Sequence, residues 1–296
     1  MMRERNRAMP VNPAGVFVTI VGILRLRRLF PPPAGRASQS LRPAVFLLSA
    51  CLLALCPEGR LFAQEANEPC AVSDDLAIVN YPLDHVYARL QAKAPLKILL
   101  VGSTSSTGSP AWAGKGLAVA FRAYPRLLEG ELAGLMPSLR ASVTDKTAAG
   151  LTAPMVVAQL EANLAQNRPD LVIWETGTTD AVRRLDVNVF GETLTDGLRK
   201  IHERGIDVML VDIQYSPQTD SIYDFQPYLD YLWRVGEAED ANILHRFGIM
   251  RYYVDQGRFD PAATTAAEQM KNANFVHACL ARQLARMILT AAQQQP

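Results

Sequence analysis

The chain is poor in several residues and patterns that mark specialised classes. Its 296 residues include only four histidines and four cysteines. None of these falls at a spacing that suggests a zinc site, and nothing else in the sequence calls for a cofactor. There is no internal repeat, which excludes solenoids and propellers, and no long low-complexity linker. Net charge is close to balanced at +1. The apolar run from Pro43 to Cys56 is too short to span a bilayer comfortably.

What is present is uneven. Residues 1–63 carry nine arginines, from Arg3 to Arg60, against two acids, Glu4 and Glu58. A basic lead, a short apolar core and a small residue near Ala63 or Ala66 describe a secretory signal peptide. The lead before Arg42 is long, so translation from Met9 is an alternative. Leu48-Ser49-Ala50-Cys51 has the form of a lipoprotein site, but the apolar run continues past Cys51. Arg27-Arg28-Leu29-Phe30 has the form of a twin-arginine signal, but Pro31-Pro32-Pro33 follows where an apolar core belongs. A membrane is therefore expected only through an uncleaved leader or a lipid anchor.

Removing residues 1–63 leaves 21 basic and 27 acidic residues, a net charge of −6. An acidic mature domain argues against nucleic acid, whose phosphates need a basic face. Two cysteines remain, Cys70 and Cys279. In a periplasmic or secreted protein such a pair is expected to bridge, tying an N-terminal arm (64–95) to the last helix.

Apolar runs and helical periodicities alternate along the rest. Strands are expected at Leu96–Val101, Leu139–Thr144, Leu171–Glu175, Val208–Asp212 and Ile243–Leu244. Helices are expected at roughly Ala118–Leu135, starting or interrupted near Pro125, then from Thr152-Ala153-Pro154, with Thr152 as a capping residue. Others are expected at Phe190–Arg204, stopped by Gly205, at Tyr228–Glu239 and at Asn274–Ala292. Tyr215–Phe225 reads as a long loop, and residues 293–296 as a frayed tail. Strands separated by helices imply a parallel five-stranded sheet in a three-layer α/β/α sandwich spanning residues 96–292. Trp174 is expected in the core. His85, His202 and His245 read as surface or capping residues.

The chemistry-bearing positions lie where strands end, which is where open α/β folds place their sites. The first strand breaks into Gly102-Ser103-Thr104-Ser105-Ser106-Thr107-Gly108. The third runs into Gly177-Thr178-Thr179-Asp180. Between them stands Gly150-Leu151-Thr152. Before the closing helix stand Glu268-Gln269-Met270-Lys271 and Asn274-Phe275-Val276-His277. In this order and spacing the blocks resemble those of the SGNH/GDSL hydrolases, over roughly residues 96 to 290.

That resemblance implies an ester-hydrolase site with a nucleophile, a base, an orienting acid and oxyanion donors. It places Thr104 at the nucleophile, Gly150 as an oxyanion backbone donor and Thr179 where an Asn belongs. Two registers stay open for the last block. One reads Glu268 and Lys271 as acid and base. It leaves His277 at a later aromatic position and most of the final helix still to come, which fits the family better. The other reads Asn274 and His277 as acid and base. A protonated lysine is a poor base, a threonine nucleophile is crowded by its methyl, and Thr179 offers one donor hydrogen in place of an amide.

The expectation is thus an SGNH-fold protein impaired in hydrolysis, binding a glycan, an acyl group or an envelope protein in the former cleft. The alternative is a working carbohydrate or short-acyl esterase using Ser103 or Ser105 with His277. Gln214 and Tyr215, after the fourth strand, are candidate ligand contacts in either case.

Overall fold

The computed structural model describes residues 68–103 and 122–294, all within one compact unit spanning Pro57–Pro296. Five strands form one sheet: β1 Leu96–Gly102, β2 Ala141–Asp145, β3 Leu171–Glu175, β4 Asp207–Val211 and β5 Asn242–Leu244. The order is β2-β1-β3-β4-β5 and every pairing is parallel. The helices are α1 Asp84–Gln91, α2 Tyr124–Leu135, α3 Ala153–Asn167, α4 Thr178–Val182, α5 Val187–His202, α6 Pro217–Asp220, α7 Gln226–Ala238, α8 Arg246–Asp255 and α9 Ala266–Ala291.

Helices cover both faces of the sheet, so the inner strands are apolar throughout rather than alternating in polarity. Leu96, Ile98, Leu100, Ile173 and Met209 face one core with Tyr124, Leu128, Leu284 and Ile288. Leu99, Val101, Val172, Trp174 and Leu210 face the other with Leu160, Phe190, Leu194 and Leu232. Trp174 is fully buried, as expected.

The N-terminal arm is fastened to α9. Cys70 and Cys279 form a disulfide. Glu68 pairs with Arg282 at 2.7 Å and Arg286 at 2.5 Å.

Three expectations change. Thr152 precedes α3 but its side chain caps nothing. The Ala153 N–H donates instead to Asp180 Oδ1 at 2.7 Å, because a buried carboxylate is the stronger acceptor for an orphan helix donor. The stretch Tyr215–Phe225 contains the helical turn α6, with Ser216 accepting from the Thr219 N–H at its start. The closing helix begins at Ala266, before Asn274. Thr265 Oγ accepts from the Glu268 N–H at 3.3 Å, and its hydroxyl donates to Glu268 Oε2 at 2.6 Å, a Thr-x-x-Glu start signal.

Candidate functional site: the carboxyl edge of the sheet

Two glycines shape this edge. A Cβ on Gly102 would lie 1.9 Å from the Glu175 carbonyl oxygen, and its φ of +127° is open only to glycine. β1 therefore leaves the sheet pressed against β3. Gly177, at φ +93°, turns the chain from β3 into α4.

Several of the sequence-derived positions meet here. The Ser103 hydroxyl is hydrogen-bonded to the Thr179 hydroxyl, and Ser103 is 7% exposed. Ser103 therefore has a partner and is set into the edge. Gly150 follows β2 at φ +79°, with the Arg183 guanidinium beside it. Asp180 is buried and accepts from the N–H groups of Gly177 and Ala153. Thr104 and Ser105 lie outside the described residues.

The two registers of the last block diverge in space. Glu268 and Lys271 occupy the first turns of α9 and are both exposed, with Glu268 engaged in the cap. Asn274 Oδ1 accepts from the Arg122 N–H at 3.3 Å. His277 is largely buried and lines a cleft of about 380 Å³ together with Gln214, Tyr215, Gln269 and Asn272. The ligand contacts expected from the fourth strand and the histidine expected from the second register thus share one concavity.

The state of His277 follows from its neighbours. Its Nδ1 accepts the backbone N–H of Tyr124 at 3.3 Å, and its ring lies parallel to the Tyr124 ring at a centroid distance of 6.0 Å. With Nδ1 as acceptor, a neutral imidazole carries its proton on Nε2. Burial, and then the nearby Arg246 charge, lower its pKa from 6.5 to about 3. In a Ser-His-Asp triad a carboxylate receives the Nδ1–H and leaves Nε2 free to take a proton. Here the tautomer is reversed and the neighbouring charge is positive.

Beneath the cleft is a network that the sequence reading missed. Glu175, the last residue of β3, and Arg246, the first of α8, are each 1% exposed and pair at 2.7 Å. The Tyr124 hydroxyl donates to the other Glu175 oxygen at 2.8 Å. Burial, then the Glu175 charge, push the Tyr124 pKa up. A charge ending a buried apolar strand signals that a partner must exist, but nothing in the sequence says which arginine folds onto it.

The family comparison decides the lineage. The model of the non-GDSL lipase-like family matches residues 69–294. The chain belongs to that family. Its parallel five-stranded sheet is the fold that the resemblance to the SGNH/GDSL hydrolases implies. Among solved structures it is similar to a variant of Axe2, an acetyl-xylooligosaccharide esterase of Geobacillus. The identity is 18%, covering 68% of this chain and 95% of that one, with a TM-score of 0.50. TesA matches at 21% identity, over 65% and 94% of the chains, with a TM-score of 0.45. A lipase/acylhydrolase of Enterococcus faecalis matches at 19%, over 63% and 96%, with a TM-score of 0.44. No curated protein matches.

Proposed function

We propose that this member of the lipase-like family is an exported protein that has lost ester hydrolysis. It keeps the cleft of His277, Gln214 and Tyr215 as a binding site for a glycan, an acylated ligand or an envelope protein. The observation that carries the reading is the state of His277. A general base works best with a pKa near the working pH and an unprotonated nitrogen aimed at the nucleophile. A histidine held neutral down to about pH 3, with Nδ1 already accepting a hydrogen bond, is a weak base in the wrong tautomer.

The substitutions point the same way. Lys271 stands exposed in a helix where the favoured register wants a base, and Thr179 offers one hydroxyl, hydrogen-bonded to that of Ser103, where the family has an amide donor. Losing an oxyanion side-chain donor alone costs roughly a hundredfold in rate or more. The Cys70–Cys279 disulfide is compatible with an oxidising compartment, and the basic leader with export.

The test is a fluorophosphonate probe on the disulfide-intact protein, read by mass spectrometry alongside turnover of p-nitrophenyl acetate. No adduct and no turnover above a His277→Gln variant are expected. A stoichiometric adduct on Ser103, Thr104, Ser105 or Ser106 would overturn the reading in favour of an active esterase.

A further inference from the structure

The cleft of His277 has a wall that is fixed before any ligand arrives. Residues of the loop from Phe259 to Ala263 line it together with residues of α9. Gln269 and Asn272, three positions apart on α9, tie that loop to the helix. Asn272 Nδ2 donates to the Asp260 carbonyl at 2.6 Å, and Gln269 Nε2 to the Ala263 carbonyl at 2.9 Å. Each carboxamide keeps bonding capacity, since it offers an oxygen and two N–H groups. Neither carboxamide oxygen accepts a hydrogen bond among the described residues, and neither is a buried unpartnered atom, so water reaches both.

The rest of the lining has the same character. Tyr215 is buried, yet its hydroxyl makes no hydrogen bond among the described residues and is not a buried unpartnered atom either. Gln218 is exposed, while Met250 and Val276 are buried and add apolar surface. No lysine or arginine lines the cleft among the described residues. Its one carboxylate, Asp260, already accepts the Ala262 N–H at 2.8 Å. A phosphate or a carboxylate would therefore find no cation here. An acyl chain would strand the carboxamides in a dry site. No lining residue belongs to a strand, so a peptide would find no sheet edge to extend. The volume of about 380 Å³ suits a small ligand.

Resting on the reading of this cleft as a binding site, we propose that its ligand is a neutral sugar of one or two rings. Sugar hydroxyls both donate and accept, which matches a lining of carboxamides and a phenol. The C–H surface of the ring covers Met250 and Val276. Because Gln269 and Asn272 are already strapped to the loop, binding costs them little side-chain freedom.

The test titrates cellobiose, maltose and N,N′-diacetylchitobiose into the disulfide-intact protein. Hexanol serves as the acyl-chain probe, and glucose against glucuronic acid as the charge probe. NMR follows the His277 ring and the Gln269 and Asn272 side-chain amides, with the Trp233 indole as a control outside the cleft. Saturable millimolar binding of at least one disaccharide is expected, moving the cleft signals and not the indole. A Tyr215→Phe variant keeps the ring that packs on Phe247 and should bind that sugar about three- to tenfold more weakly. Glucuronic acid should bind more weakly than glucose. No binding of any of the disaccharides up to about 50 mM, or tighter binding of glucuronic acid than of glucose, would overturn the proposal. So would an unchanged affinity in Tyr215→Phe. Cleft shifts with hexanol and with no sugar would also overturn it, while leaving the loss of hydrolysis standing. Sugar binding together with a fluorophosphonate adduct would uphold the proposal and overturn that loss instead.

Discussion

Two neighbouring strands each end in a buried acid, and the two acids are treated differently. Glu175 closes β3 and has both oxygens occupied, one by Arg246 and one by the Tyr124 hydroxyl. Asp212 follows β4 and has one oxygen bonded to the start of α8, while the other faces His245 across 3.6 Å. The two basic partners are consecutive residues, and each takes a different acid. The filled pair forms a floor under the cleft of His277. The unfilled pair stands at the wall of an apolar groove lined by Leu76, Trp233 and Phe247. A buried charge without its partner is destabilising, whereas a complete pair is nearly neutral against a well-packed apolar replacement. The floor is therefore the part of this edge that fixes shape, and the groove is the part with bonding capacity left.

The largest effect should come from breaking the floor. Arg246→Met leaves the Glu175 carboxylate buried and unpaired and is expected to cost about 3–5 kcal/mol, read as a lower urea midpoint. Adding Glu175→Leu should recover most of that loss. A double variant no more stable than Arg246→Met would show that the pair is not the determinant.

Next in size is the disulfide. Cys70→Ser with Cys279→Ser removes a crosslink spanning 209 positions and should cost about 2–5 kcal/mol, measured by thermal unfolding with and without reductant. Reductant should shift the native chain and leave the variant unchanged.

The third effect depends on pH. His277 stays neutral in the fold down to about 3, while the unfolded chain takes up its proton near 6.5. The unfolded state binds more protons between those values. Stability should therefore fall as pH drops through that window, by up to about 1.4 kcal/mol per unit. His277→Gln should flatten this slope, and an unchanged slope would assign the acid sensitivity elsewhere.

The smallest effects belong to the exposed turns of α9. Glu268→Ala should cost about 0.5–1 kcal/mol through its cap, and Lys271→Ala less than about 0.5 kcal/mol. A larger loss at Lys271 would mean that its side chain is not simply solvated.

The sheet was legible because buried parallel strands write themselves as continuous apolar runs: Ile98 to Val101, Leu171 to Trp174, Val208 to Val211. The disulfide followed from cysteine arithmetic once the arginine-rich first 63 residues were set aside. The start of α9 was missed although its signal was present, since Thr265 and Glu268 stand at capping-box spacing. Motif matching had read Glu268 as part of a catalytic block instead. At the site, the first and third blocks were readable as strand ends. The state of His277 was not, because it depends on Tyr124 and Arg246, which are 153 and 31 positions away along the chain. Arg246 was unreadable for the same reason: Glu175 announces that it needs a cation, but only the fold brings one.

The bond between Cys70 and Cys279 makes a closed ring of everything from the arm to the middle of the last helix. A protease that cuts once anywhere inside that ring, for example between Tyr215 and Phe225, separates no mass. The nicked molecule keeps its size on a denaturing gel until a thiol is added, when it falls into two pieces. Damage of this kind would thus be invisible by size alone, and loss of the native fold would come before any loss of mass.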